Sequence, residues 1–466
     1  MKSFKFIILM LVISMFLIYP VSAQTTGGDE ARYIVQTGDT LYSIAIRFGI
    51  SLTALTDANN ITDPNQLFPG QELIIPGLEG VSGLLTTETL GFGDSMAGMA
   101  TRTGIAYDTL VKINRITSPA EVYAGMNIIL PQVEGESTLQ QQISIRTSQT
   151  FLETAILQNS SPWSIALLNN LPNPARVIPG DRLFIHGNTS EGNSIGIYPY
   201  IKSIKVDPLP LIQGHTTEIS LSTYENATIS GSLTGHNLVF YQTGDRSYVS
   251  LQGIHAMQAV GLYPITLSVR LDDGSVFSYE QQVYVASGDY PNDPMLTVDP
   301  ATIDPAVTKP EDDQVLAIVS NITPDRQWNG IFTLPVAEPY CIKSWFGDRR
   351  AYNGGAYDYF HAGLDYGVCS DSRPFAILAP AAGTVVFTGQ LTVRGNATII
   401  DHGWGIFTGY WHQKEILVKV GDLVTAGQEI GAIGATGRVS GPHLHWEVWV
   451  NDVQVDPQDW LDRQYP

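Results

Sequence analysis

The chain has 466 residues, 44% of them hydrophobic, and a formal charge of −20 at neutral pH. One hydrophobic core rarely serves more than about 250 residues, so several domains are expected. A surface this acidic repels phosphate backbones and argues against nucleic acid as a partner.

Residues 1–23 read as a signal peptide. Lys2 and Lys5 form a basic start, Phe6 to Tyr19 are almost wholly apolar, and Val21-Ser22-Ala23 fits a small-residue cleavage site before Gln24. The apolar run is shorter than the roughly 20 residues that span a bilayer. No cysteine stands at the cleavage point to carry a lipid. The expectation is an exported, soluble protein without a stable membrane anchor.

Before residue 190 the sequence repeats with a period of fifty-five residues. Gly38-Asp39-Thr40 returns as Gly93-Asp94-Ser95, and Asn59, Asn114 and Asn169 keep the step, as do Gly70, Gly125 and Gly180. In the first unit Tyr33-Ile-Val35 predicts a strand. Asp39 or Thr40 caps a helix with Leu41, Ile44, Ala45 and Phe48 on one face, and Gly49 ends it. A second helix runs through Leu52 and Leu55, and Pro69-Gly70 turns into a closing strand at Leu73-Ile-Ile75-Pro76.

This small βααβ pattern resembles the LysM domain, with units expected at 31–77, 86–132 and 141–187. The resemblance implies binding to glycans that contain N-acetylglucosamine, chiefly peptidoglycan and chitin. The second unit carries Glu88 where the leading aromatic stands in the first. The third, more divergent, has Thr147-Ser148-Gln149 at the turn and ends Ile185-His186. Sugar binding is expected of the first unit, with spacers as the alternative for the weaker copies. Stretches at 77–83, 135–138 and 187–194 read as linkers. Attachment to a wall would rest on sugar recognition, since the chain's charge repels anionic polymers.

Residues 195–290 alternate with period two, as in Tyr263-Pro-Ile-Thr-Leu-Ser-Val269, and predict an immunoglobulin-like β-sandwich. His215, His236 and His255 lack ligand spacing and read as surface or turn residues. Residues 291–330, rich in Pro and Asp, read as a linker with little regular structure.

From 331 to 462 glycine-punctuated strands predict a mainly antiparallel β domain. It holds His361-Ala-Gly-Leu-Asp365, His412 and His443-Leu-His445, a set of imidazoles and a carboxylate of the kind that binds Zn²⁺. A straight strand of four residues covers about 13 Å. His361 and Asp365 can therefore share an ion only across a bend, which Gly363 permits. On a strand from 443 to 450, His443, His445, Glu447 and Trp449 share one face and Leu444, Trp446 and Val448 the other. Glu447 could orient a ligand or pair with a cation such as Arg349, and His402, in Asp-His-Gly, reads as a structural turn residue. The only cysteines are Cys341 and Cys369; an exported chain favours a disulfide between them, with two free thiols as the alternative.

Ser344-x-Phe346-Gly347-x-Arg349, His361-x-Gly363-x-Asp365, Asp401-His402-Gly403, Tyr410-x-His412, Gly421-Asp422-x-Val424 and Gly441-Pro442-His443-Leu444-His445 follow in order. This domain resembles the lysostaphin- and LytM-type zinc endopeptidases of peptidoglycan. The resemblance implies one Zn²⁺ held by His361, Asp365 and His445, with His412 and His443 catalytic. Which of those two takes the proton of the attacking water stays open. The expected whole is a secreted, wall-associated peptidoglycan endopeptidase, with a non-catalytic wall-binding protein or hydrolase activator as the rival.

Overall fold

The computed structural model describes residues 30–63, 67–78, 81, 83–132, 140–145, 149–169, 171, 177–178, 181–186, 200–367 and 376–466. The signal peptide, the linkers at 135–138 and 187–194, the Thr147-Ser148 turn and Cys369 lie outside them. No helix among the described residues is long and apolar enough to cross a membrane. The chain divides into two compact units. One holds residues up to Glu88 with Asp108–Arg115 and the segment from Ile129; the other holds Thr89–Tyr107, Ile116–Ile128 and the chain from Ser137 onward.

The three repeats share one order of elements. The first is β1 (Ala31–Ile34), α1 (Leu41–Phe48), α2 (Leu52–Ala58) and β2 (Glu72–Ile74). The second is β3 (Gly83–Thr89), α3 (Met96–Thr103), α4 (Tyr107–Ile113) and β4 (Asn127–Pro131). The third is β5 (Gln140–Ser144), α5 (Phe151–Leu157), α6 (Pro162–Leu168) and β6 (Arg182–His186). Thr40, not Asp39, caps α1 by accepting from the Ser43 amide, and Gly49 closes it at φ +59°, where a side chain would be strained. Asp39 instead bonds Tyr33 and Arg47.

The recurrent asparagine has a physical reason. Asn59 Nδ2 donates to the Leu55 and Ile74 carbonyls, and its Oδ1 accepts from the Ile74 amide at 2.6 Å. Asn114 does the same with Leu110 and Ile129, and Asn169 with Ile165 and Phe184. One amide side chain ties the end of the second helix to the closing strand, bonding both the amide and the carbonyl of one closing-strand residue and adding a bond to a helix carbonyl.

Residues 201–286 form nine strands: β7 (Ile201–Asp207), β8 (Leu211–Ile212), β9 (Thr216–Thr223), β10 (Ala227–Leu233), β11 (His236–Leu238), β12 (Tyr241–Gly244), β13 (Ser247–Gly253), β14 (Gly261–Leu271) and β15 (Val276–Ala286). They make two sheets, ordered β11-β10-β14-β15-β8 and β12-β13-β9-β7. Ile204, Ile219 and Leu221 from one and Ile265, Leu267, Val269 and Val283 from the other share one core.

One expectation needs correction here. The stretch 291–330 is not an unstructured linker: it contains α7 (Pro305–Val319), whose Val315 and Val319 pack with Leu391, Ala397, Ile399, Phe407, Trp411 and Trp449. Asp304 caps this helix and Pro305 occupies its first position, a helix-starting pair that composition alone disguises as linker. The histidines of the sandwich are part-exposed and lie at or beside turns, and each has a partner. His215 pairs with Asp459 at 2.8 Å, His236 with Asp452 at 3.0 Å, and His255 packs edge-on against Phe360.

The C-terminal strands are β16 (Cys341–Ser344), β17 (Arg349–Arg350), β18 (Tyr359–Phe360), β19 (Leu364–Gly367), β20 (Ala376–Leu378), β21 (Gly383–Leu391), β22 (Gly395–Gly403), β23 (Ile406–Trp411), β24 (Gln413–Ile416), β25 (Leu423–Val424), β26 (Glu429–Ile433), β27 (His443–Val450) and β28 (Val453–Val455), followed by α8 (Pro457–Asp462). The main sheet runs β16-β19-β27-β23-β22-β21-β25, with β28 on β27. Its pairings are all antiparallel. Leu444, Trp446, Val448 and Val450 point from β27 into the core, as period two requires. Cys341 is disulfide-bonded.

Candidate metal and catalytic site

Pairing of β19 with β27 sets Asp365 directly across from His445. The chain leaves strand geometry between Phe360 and Leu364, and this bend returns His361 to the same spot. Gly363 is required there for space as well, because a Cβ would collide with the Trp446 carbonyl. The result is a triangle of donor atoms. His361 Nε2 lies 3.0 Å from Asp365 Oδ1 and 2.9 Å from His445 Nδ1, and His445 Nδ1 lies 2.8 Å from Asp365 Oδ1.

The far side of each ring fixes its tautomer. His361 Nδ1 donates to the Trp345 carbonyl at 2.7 Å, so its Nε2 presents a lone pair. His445 Nε2 donates to Glu447 Oε1 at 3.1 Å, so its Nδ1 does too. Two imidazole lone pairs and a carboxylate oxygen thus converge, and lone pairs this close repel unless a cation sits among them. The three residues fit a single metal ion in both donor chemistry and approach.

Charge is tuned to match. Burial raises Asp365, but the His361 and His445 partners outweigh it and hold the carboxyl well below the usual range. His361 is lowered by burial against the pull of Asp365. His445 overcomes its own burial through Asp365 and Glu447 and rises to about 9, so a proton on Nδ1 competes with a cation for the lone pair that faces the triangle. Glu447 resists burial through its bond to His445 and the nearby Arg394 charge, and falls to about 2.

His412 and His443 stand beside this triangle, their ring centroids 4.9 Å apart. His412 follows the end of β23 in the left-handed backbone region at φ +63°. Its Nδ1 donates to the Thr436 carbonyl at 2.8 Å, leaving Nε2 unprotonated. Burial, then the charges of His445 and His443, push it down to about 3. His443 Nδ1 donates to the Gly441 carbonyl at 2.9 Å, and its Nε2 lies 3.7 Å from Asp365 Oδ1.

All five singled-out residues therefore meet at one place. Glu447 touches His445 and Trp449, not Arg349, whose guanidinium bonds the Ala256 carbonyl. His402 lies one residue before the end of β22 and is wholly buried, bonded to the Ala382 carbonyl and Thr408. Sequence reasoning missed Thr436, which contributes a backbone carbonyl with no side-chain signature. It also missed Arg350, whose Nη2 stands 4.0 Å from Asp365 Oδ2.

Comparison with known proteins matches residues 359–457 to peptidase family M23 and residues 33–76 and 89–131 to the LysM domain. Peptidoglycan DD-endopeptidase ShyA of Vibrio cholerae is 38% identical over 122 residues, 26% of this chain and 28% of that protein. DD-carboxypeptidase/endopeptidase Mpg of Neisseria meningitidis is 38% identical over 97 residues, 21% of this chain and 22% of that protein. The match thus spans only 28% and 22% of the length of these two relatives. Among solved structures, a putative peptidase M23 from Pseudomonas aeruginosa shares 27% identity, covering 54% of this chain and 94% of its own at a TM-score of 0.40. Residues 359–457 match the family model of peptidase family M23, on a chain that also matches the LysM domain at two places.

Proposed function

We propose that this protein is an exported, zinc-dependent peptidoglycan endopeptidase that cuts peptide cross-links while its LysM modules hold the glycan. The observation that carries the reading is the donor triangle of His361, Asp365 and His445 with two further imidazoles, His412 and His443, at its edge. One Zn²⁺ bound there would supply Lewis acidity toward the scissile carbonyl and an acidified water. His412, neutral and with Nδ1 tied to Thr436, offers Nε2 as the proton acceptor. His443 is placed to steady the developing oxyanion or return a proton to the leaving amine. Relatives named DD-endopeptidases favour a bond between D-amino acids as the target.

The repeats at 31–77, 86–132 and 141–187 are read as three LysM folds, the third on the strength of its shared asparagine clamp. The first is assigned to N-acetylglucosamine-containing glycan. Residues 195–290 are read as an immunoglobulin-like spacer. Tethering raises the local concentration of cross-links without adding contacts at the catalytic site.

The test is digestion of purified sacculi with and without a chelator, the fragments being read by mass spectrometry. New amino termini that vanish with chelation and return with zinc are the expected result. New reducing sugars would indicate a glycan cutter, and no products a wall-binding or activating protein.

A further inference from the structure

The stretch expected to be a linker reaches the catalytic site through one side chain. Glu311, on α7, is 5% exposed and faces the Thr392–Arg394 turn that joins β21 to β22. Its Oε2 accepts the Val393 amide at 2.8 Å, and its Oε1 accepts the Arg394 amide at 3.1 Å and Arg394 Nη1 at 2.9 Å. A buried carboxylate that receives two backbone amides and a guanidinium is fully compensated and geometrically fixed.

The opposite side of the same turn points to the site. The Arg394 carbonyl accepts the His412 amide at 2.8 Å, and the Val393 carbonyl accepts the Arg438 amide at 2.8 Å. Arg438 lies in the loop whose Thr436 carbonyl receives His412 Nδ1. The Arg394 guanidinium covers the ring of Trp411, the residue before His412, at 5.4 Å. Arg438 Nη1 donates back to the Thr302 carbonyl at 2.6 Å, a second tie from the same stretch. His412 occupies a strained backbone conformation, which persists only where its surroundings over-determine it.

We infer that Glu311 is a positioning residue for His412, acting through the Thr392–Arg394 turn, so that the segment before residue 331 belongs functionally to the peptidase domain. The inference rests on the proposed role of His412 in peptide hydrolysis. Glu311→Gln replaces one accepting oxygen by a donor that faces the turn's own amides, loosening the turn and the His412 backbone behind it. Glu311→Asp keeps the charge but withdraws it by one methylene.

The experiment uses the full-length, zinc-loaded protein. Glu311→Gln should lower kcat by about tenfold to hundredfold with KM nearly unchanged, the range expected when a catalytic group is misplaced by about an ångström. Bound zinc should stay at the wild-type level, and the ring nitrogen resonances of His412 should shift. Asp313→Asn removes an exposed charge from the same helix and should leave kcat unchanged. Glu311→Asp, the milder change, should give a smaller kcat loss in the same direction. Wild-type kcat in Glu311→Asp and Glu311→Gln overturns the inference, as does loss of zinc in parallel with activity, which would make Glu311 a support of the fold as a whole. Should the wild-type protein cleave nothing, the hydrolase reading fails instead, and the His412 resonances still decide whether Glu311 places that ring.

Discussion

Glu447 accepts from His445 Nε2 at 3.1 Å while His445 Nδ1 faces Asp365 at 2.8 Å, so one imidazole bridges two carboxylates. Glu447 is itself pinned by Trp449 Nε1 at 2.8 Å. Such an outer carboxylate fixes the tautomer of a ligand ring and raises its basicity. Glu447→Gln should weaken zinc binding by about tenfold to hundredfold. Competition against a chromophoric chelator measures this, and an affinity equal to wild type would remove Glu447 from the metal's support.

The five site residues should separate into two classes. His445→Ala deletes a corner of the donor triangle and should lose zinc and activity together. His412→Ala and His443→Ala leave the triangle whole, so each should retain zinc while kcat falls by about a hundredfold to ten-thousandfold, the usual range for a lost acid or base. Metal content by mass spectrometry beside release of new amines checks the division. Equal zinc loss in all three would show the roles to be wrongly assigned.

What was legible in the sequence was what depends on neighbours along the chain. Thr40, Gly49 and the stripe of Leu41, Ile44, Ala45 and Phe48 mark α1 because caps and helical faces are local. The alternation in His443–Val450 places His443 and His445 together for the same reason. The meeting of His361 and Asp365 with them was readable only through motif order, since nothing local says that β19 pairs with β27. Glu311 and Arg394 were illegible: 83 residues separate them, and the prolines and aspartates around Glu311 look like linker composition until Asp304 and Pro305 are seen as a helix start.

The asparagine clamp predicts a shared stability cost. Asn59→Ala strips the partner from the Ile74 amide and from the Leu55 and Ile74 carbonyls. Leaving such part-buried groups unpaired costs about 1–3 kcal/mol. Amide hydrogen exchange should show protection at Ile74 falling accordingly, with Asn114→Ala and Asn169→Ala acting likewise at Ile129 and Phe184. A variant whose closing-strand amides exchange at the wild-type rate would show that the strand is held without the clamp.

His402 gives the C-terminal domain an acid-sensitive core. Its ring is wholly buried, donates Nδ1–H to the Ala382 carbonyl and lies against Phe332, and burial lowers it from 6.5 to about 4. The unfolded chain therefore binds a proton below about pH 6.5 that the native domain refuses until about pH 4. Stability is full above the unfolded value and declines as pH falls through this window, because there the unfolded state holds more protons. Between about pH 7.5 and pH 5 this one group should cost about 2 kcal/mol. Urea unfolding followed by tryptophan fluorescence at both pH values measures the total loss. His402→Gln cannot take up that proton, so its loss over the same interval should be smaller by that amount, even though its stability near neutrality is lower. Equal losses in the two proteins would place the acid sensitivity in another group.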